Sequence, residues 1–373
     1  MTKVPNGFEI IEIFERFSPM SLAFEDDKFG LQIGTLNKSI HNVMVTLDVL
    51  EEVVDEAIKK NVNLLLSHHP PIFRPLKHIR TDTVTGRIIE KCLKHDITVY
   101  SAHSNLDITE GGVNDLLAEA LELKEVTLLT TTQTAKLKKL VVFVPETHAE
   151  KVKNALASAG AGHIGNYSHC SFSSRGIGNF KPEDGANPFI GVTGKLEHVE
   201  EVRVETIFPS SLQRKVIRDM IQAHPYEEIA YDIYPLDNKG KEHGLGRVGF
   251  LKEEMTLEQF SQFVKKTLDV DGVRIVGDLT KKIKKVAVLG GDGNKYIPHA
   301  HFAGADVFVS GDIYYHLAHE AMALGLSIVD PGHHMEKVMM NGVASLLKKG
   351  AVVKKFNVNV FTAQTNTNPF TFR

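Results

Sequence analysis

Only two cysteines occur, Cys92 and Cys170. They are too few for a disulfide framework or a thiolate metal site. Long apolar runs are missing as well. LVVFVP and VNLLL stop far short of the roughly 18 residues of a membrane span, so no membrane partner is expected. The N-terminal stretch MTKVPNGFEIIEIFERF is acidic and amphipathic and has no apolar signal core, which predicts a cytoplasmic protein. There is no basic excess either. Lys and Arg number 43 against 46 Asp and Glu, a net charge of −3, and nucleic acid is not an expected partner. No short repeat period is visible. The chain does have length, with 373 residues of which 42% are hydrophobic, enough for two to three domains with sizeable cores. It also has 18 histidines, and their placement is informative.

Short β-branched runs alternate with amphipathic ones. The pattern predicts strands at 41–48, 62–67 and 97–102, and helices at 49–60, 86–95 and 111–121. It recurs late in the chain, with strands at 284–291, 305–312, 326–330 and 353–362, a glycine-capped helix at 314–325 and a long helix at 333–349. Apolar strands without clean alternation, separated by helices, predict an α/β fold with a mostly parallel sheet. The middle reads differently. A strand and helix over 138–160, loops or a ragged hairpin at 164–189, a strand at 198–209, a Ser-capped helix at 210–225 and a strand at 227–236 describe a ferredoxin-like βαββαβ unit. The expected division is therefore a discontinuous α/β domain, 1–130 plus 241–373, interrupted by an α+β insert at 131–240. Cys92 reads as a small buried hydrophobe.

Three histidine and carboxylate clusters each follow a predicted strand: Ser67-His68-His69-Pro70, His103-Ser104-Asn105-Leu106-Asp107, and Asp330-Pro331-Gly332-His333-His334-Met335-Glu336. Ligands gather beyond the carboxyl ends of strands in open α/β sheets, so the three clusters can converge. A lone histidine after a strand is more often a surface or capping residue. Three clusters of metal-binding residue types at equivalent strand ends argue for a site. Neutral imidazoles and carboxylates suit zinc or iron. His333 and Glu336 stand three apart at a helix start and share a face. His68 and His69 would oppose each other in a regular strand, but the chain leaves the strand there, which lets them serve two neighbouring ions with Asp107 between. Five protein groups for two divalent ions leave positions open for water, the mark of a catalytic site.

Weaker signals surround these. Gly290-Gly291-Asp292-Gly293 could form a phosphate-cradling nest, yet without a full GxGxxG or Walker pattern a plain tight turn is the favoured reading. Asp312 and His316 offer substrate contacts or support to the ligands, with helix capping by Asp312 an equal alternative. Tyr296, Tyr314 and Tyr315 could stack on a base, although aromatics at helical spacing are more often core. No GxSxG elbow accompanies the Ser, His and Asp residues present.

At DKFGLQIG (27–34), LLLSHHPPIF, YSAHSNLD with GGVNDLLAEAL, VAVLGGDG, VSGDIYYH and DPGHHMEK, the sequence resembles the GTP cyclohydrolase 1 type 2 homologues, the NIF-three-like proteins. AHPYEEIAYDIYPL resembles the CutA-like or PII-like insert of the longer members. The resemblance implies a split α/β domain binding two metal ions and a toroidal homohexamer, a trimer of dimers with the inserts near its openings. It places the ligands at His68, His69, Asp107, His333 and Glu336, with His103 as a further site histidine. The His333–Glu336 step is three residues here, where some members use four. The expected function is that of a metal-dependent hydrolase, of GTP cyclohydrolase or phosphoesterase type, acting on a nucleotide or related heterocycle through a metal-activated water. His103 and His334 would move protons, with Gly291, Asp292, Asp312 and His316 toward the substrate. The alternative is a non-enzymatic, metal-responsive regulatory or scaffold protein whose insert senses a small molecule.

Overall fold

The computed structural model describes residues 3–373. In chain order the strands are β1 (Gly30–Ile33), β2 (Asn42–Thr46), β3 (Leu64–Ser67), β4 (Thr98–Ser101), β5 (Lys124–Pro145), β6 (Ser171–Phe180), β7 (Glu197–Pro209), β8 (Tyr231–Thr256), β9 (Arg274–Val276), β10 (Lys282–Asp292), β11 (Val307–Gly311), β12 (Ser327–Asp330) and β13 (Asn359–Thr362). The contacts divide the chain into two units, Met1–Gln133 with His243–Arg373, and Thr134–Glu242. The chain leaves the first unit along β5 and returns along β8.

Unit 1 distributes its parallel strands over two sheets. One has the order β1-β4-β3-β2-β13, parallel except for the β1–β4 edge pair. In the other, β10, β11 and β12 are parallel, flanked by antiparallel β8 and β9. These strands read as unbroken apolar runs because both faces are covered. Val43, Val45, Leu64 and Leu66 share a core with Val286, Val288, Val307 and Val309 and with helices Gly7–Phe17, Val113–Ala120 and Val338–Val353. The opposite faces pack on other helices. Met44, Leu65 and Val99 meet Val53, Ile88 and the fully buried Cys92, whose thiol burial pushes up to about 12. Ala287, Phe308 and Ile328 meet Ile297 and Ala321. Each fully buried aliphatic side chain contributes about 1.5–3 kcal/mol, so positions such as Leu65 and Val309 fix the frame on which the strand ends stand.

Local signals set the helix ends. Asn6 and Glu9 form a capping box at the start of Gly7–Phe17, and Thr83 accepts from Gly86 N at the start of Val84–Lys94. Gly325, at φ +72°, follows the helix Tyr315–Ala323 and lets the chain turn back into β12. The expected helix at 333–349 begins differently. His333–Lys337 is a 3-10 turn, and the α-helix runs from Val338 to Val353.

Unit 2 has the strand order β6-β7-β5-β8, that of a ferredoxin-like βαββαβ sheet, with helices Ala149–Ala159 and Gln213–Ala223. The Gly- and Ser-rich stretch expected as loops or a ragged hairpin holds a ten-residue strand, β6, paired antiparallel with β7 from Ser171↔Thr206 to Phe180↔Glu197. The partner supplies the hydrogen bonds, so this largely exposed strand needs little apolar pattern of its own. The expected serine cap at 210 is absent. Ser210–Leu212 is a 3-10 turn, and Leu212 caps the helix without a side-chain bond.

Candidate metal centre

The clusters meet at the carboxyl ends of β2, β3, β4, β10, β11 and β12. Beyond β3, the backbone of His68 donates to Thr46 O and that of His69 to Leu47 O, and Pro70 and Pro71 then end the pairing. His103 precedes the short helix Ser104–Ile108, which carries Asp107. His333 and Glu336 lie on the 3-10 turn, where residues three apart eclipse. The three-residue step, which in an α-helix would only share a face, here stacks the two side chains.

Four imidazoles share one arrangement. The Nδ1 of His68 lies 2.8 Å from Ala102 O, that of His69 2.7 Å from Asp48 Oδ1, that of His103 2.6 Å from Asp27 Oδ1, and that of His333 2.7 Å from Asp312 Oδ2. Each Nδ1–H donates to an oxygen, which leaves Nε2 as the nitrogen able to take a proton or a cation. Asp27 is itself held by Ser104 N at 2.9 Å and by Ser104 Oγ, and Asp48 accepts from Thr367 Oγ1 at 2.5 Å.

The ligand atoms form three groups, each within 4.8 Å: His68, His69 and His103; His69, His333 and Glu336; and His68, Asp107 and Glu336. These residues could hold a metal ion. Glu336 Oε2 lies 3.1 Å from His69 Nε2, 3.3 Å from His333 Nε2 and 3.6 Å from His68 Nε2, and Asp107 Oδ1 is 3.5 Å from His68 Nε2. Two atoms each about 2.1 Å from one tetrahedral ion would stand about 3.4 Å apart, so the spacing fits shared coordination. Direct hydrogen bonding accounts for less of it. His68 Nε2 and Asp107 Oδ1 are buried without a hydrogen-bond partner among the described residues. Donors and acceptors left orphaned inside a protein are costly, and a cation between them would satisfy both.

Protons show the same tension. Burial alone would lower the His69 imidazole, but Asp48 and Glu336 outweigh it and raise it to about 10. Burial likewise opposes the rise of His333, which Glu336 and Asp312 lift to about 9. Burial pushes the Asp107 carboxyl up to about 6, helped by Glu336 and opposed by His68. Burial would raise Glu336 too, but the imidazoles of His68, His333 and His69 hold it well below the usual carboxylate range. Burial and then Lys337 lower His334, which stays outside the three groups.

The weaker candidates separate. In place of the expected plain turn, β10 runs on through Gly290 and Gly291 to Asp292, with a break in its register against β11 between Val288 and Asp292. A Cβ at either glycine would lie 2.9 Å from Glu336 Oε1, and Gly291 has φ +65°. Absent side chains here give the Glu336 carboxylate its place. Asp292 accepts from Asn294 N at 3.0 Å and from Tyr314 Oη at 2.9 Å. Asp312 does not cap the following helix, whose N-cap is Tyr314. It orients His333 instead, from a left-handed backbone at φ +56° that is rare for a non-glycine. His316 packs its ring on Tyr315, 5.3 Å away, and stays outside the groups. Sequence reasoning passed over Asp27, Asp48 and Asn114. Asp48 follows β2 as the clusters follow their strands, so the same rule could have found it. Buried Asn114 donates to Asp107 O and accepts from Gly290 N, a bridge that only the fold reveals.

No helix among the described residues is long and apolar enough to cross a membrane. Comparison with known proteins agrees with the fold. A GTP cyclohydrolase 1 type 2 homolog of Bacillus subtilis (strain 168) is 64% identical over 372 residues, 100% of both chains. The crystal structure of a Bacillus cereus protein related to NIF3 superposes with a TM-score of 0.95 at 60% identity, covering 100% of each chain. A Staphylococcus aureus crystal structure reaches 0.79 at 31% identity, covering 99% of each. The family model for Duf34/NIF3 (NGG1p interacting factor 3) matches residues 5–369, and the chain belongs to that family.

Proposed function

We propose that the protein is a hydrolase that uses two divalent cations, zinc or iron, on a nucleotide or related heterocycle. The observation carrying this reading is the set of four imidazoles, each tied at Nδ1 to an oxygen, of which His68, His69 and His333 bring Nε2 within 3.1–3.6 Å of Glu336 Oε2, while His103 joins His68 and His69. His68, His69, Asp107, His333 and Glu336 would hold the cations. When bound, such ions polarise a substrate oxygen and lower the pKa of water toward neutrality.

The chain's own residues do the rest. Asp48, Asp27, Asp312 and the Ala102 carbonyl hold the four rings by Nδ1–H, so the rings are already oriented and the protons that His69 and His333 carry at Nε2 would leave when a cation enters. His103, tied at Nδ1 to Asp27, can exchange a proton only at Nε2. His334, lowered by its surroundings, is a neutral base at working pH. Gly291 keeps the backbone of β10 close to Glu336, and Asp292, steadied by Tyr314, together with His316 and Asp312, would serve as substrate contacts. The name carried by the relatives points to a nucleotide. The reading extends to a cytoplasmic homohexamer, as the family resemblance implies.

His68→Ala tests it. Elemental analysis and turnover of GTP and generic phosphoesters are measured on the metal-loaded wild type and variant. Loss of bound metal together with loss of turnover is expected. Two ions retained in the variant would refute the ligand set, and a wild type inert on the whole panel would refute the hydrolase.

A further inference from the structure

Unit 2 contains a cavity of about 630 Å3, well within the roughly 300–1,000 Å3 of small-molecule sites. Its floor is set by strand alternation. Leu140, Val142, Val202 and Val204 share a core with Val152, Leu156, Val216 and Met220 of the two helices. Phe143, Glu201 and Arg203 therefore face the other side of the sheet, and all three line the cavity. Its wall is aromatic. The Phe180 and Tyr226 rings stand 5.8 Å apart, and the Phe189 and Tyr226 rings 6.3 Å. Asn187 N donates to Glu227 Oε1 at 2.8 Å, closing the segment that carries Phe189 against the one that carries Tyr226.

Two polar groups stand inside this aromatic surround. Glu201 is 9% exposed, and a Cβ on Gly178 would come within 2.1 Å of its Oε2, so a glycine there preserves the place of the carboxylate. Tyr226 Oη makes no hydrogen bond of ordinary geometry among the described residues but lies beside Glu201, and burial together with that carboxylate raises its hydroxyl. The nearby arginines are engaged elsewhere, Arg203 with Glu205 at 2.9 Å and Arg175 with Glu146 at 2.6 Å. A buried carboxylate in an aromatic box favours a flat ring with N–H donors on one edge. The rings stack or meet it edge-on, and the acid accepts a parallel pair of hydrogen bonds.

We infer that this cavity binds a planar heteroaromatic small molecule whose edge carries an amidine-type pair of N–H donors, held by Glu201 and packed on Phe180, Phe189 and Tyr226. The inference is independent of the metal reading and would give the regulatory alternative a sensing site.

Calorimetric titration of the full chain tests it, with 2-aminobenzimidazole as the probe and indole, a bicycle with a single N–H, as the control. Saturable binding of 2-aminobenzimidazole, one per chain and tighter than indole, is expected. Glu201→Gln should weaken the probe tenfold or more and leave indole unchanged. Phe189→Ala, at a half-exposed ring whose removal spares the core, should weaken both. No saturable binding by the wild type, or probe binding unchanged in either variant, would overturn the assignment and leave the aromatic wall to a protein partner.

Discussion

Replacing Asp48 by asparagine keeps the shape beside His69 and removes one negative charge. The Nδ1–H of His69 now donates to a carboxylate 2.7 Å away, and Thr367 holds the other oxygen of that carboxylate. Hydrogen bonds to an ionised partner are roughly twice as strong as neutral ones. Loss of such an outer partner typically costs 10–100-fold in metal affinity, about 1.4–2.8 kcal/mol. The asparagine oxygen can still accept, so the lower end of that range is expected for Asp48→Asn and the upper end for Asp48→Ala. Competition titration against a chelator of known affinity measures the change, with the thermal midpoint of the metal-free protein as a folding control. Equal affinity in wild type and both variants, with all three folded, would refute the claim that oxygen-tied Nδ1 atoms prepare these imidazoles for a cation.

Gly291→Ala should weaken metal binding and lower stability by about 1–2 kcal/mol from the left-handed backbone alone, because its Cβ would also press on Glu336; calorimetric melting and metal content check this. The metal-free protein should lose stability as pH rises. His69 and His333 are raised above their ordinary 6.5, to about 10 and about 9, so their contribution is complete below pH 6.5 and lost between there and about 10. Urea unfolding in chelator across that window should show the decline, and His69→Gln should flatten it; a flat wild-type profile would contradict the assigned proton affinities.

Much of the frame is legible because both faces of the unit 1 strands are covered. Runs such as Leu64-Leu65-Leu66 and Val307-Phe308-Val309 therefore advertise themselves as buried strands. The histidine clusters are legible for a related reason, since a strand end fixes where the next side chains stand. What stays hidden depends on partners distant in sequence. Nothing within Ser171–Phe180 announces a strand, because β7 supplies its hydrogen bonds. The acceptors Asp27, Asp48 and Asp312 gain their meaning only when another segment presents an imidazole Nδ1 to them. Gly290 and Gly291 read locally as a turn, yet what they accommodate is Glu336, whose position no local pattern could give.

The centre draws His68, His69 and Asp107 from one stretch of chain and His333 and Glu336 from another, with all of unit 2 lying between them in sequence. During synthesis the first three groups leave the ribosome more than two hundred residues before the last two. A nascent chain can therefore offer a cation only a partial set of donors, and full occupancy waits until nearly the whole polypeptide has emerged. A cation held by the full set would therefore be captured late, after Glu336 has emerged, whereas the group of His68, His69 and His103 is complete much earlier.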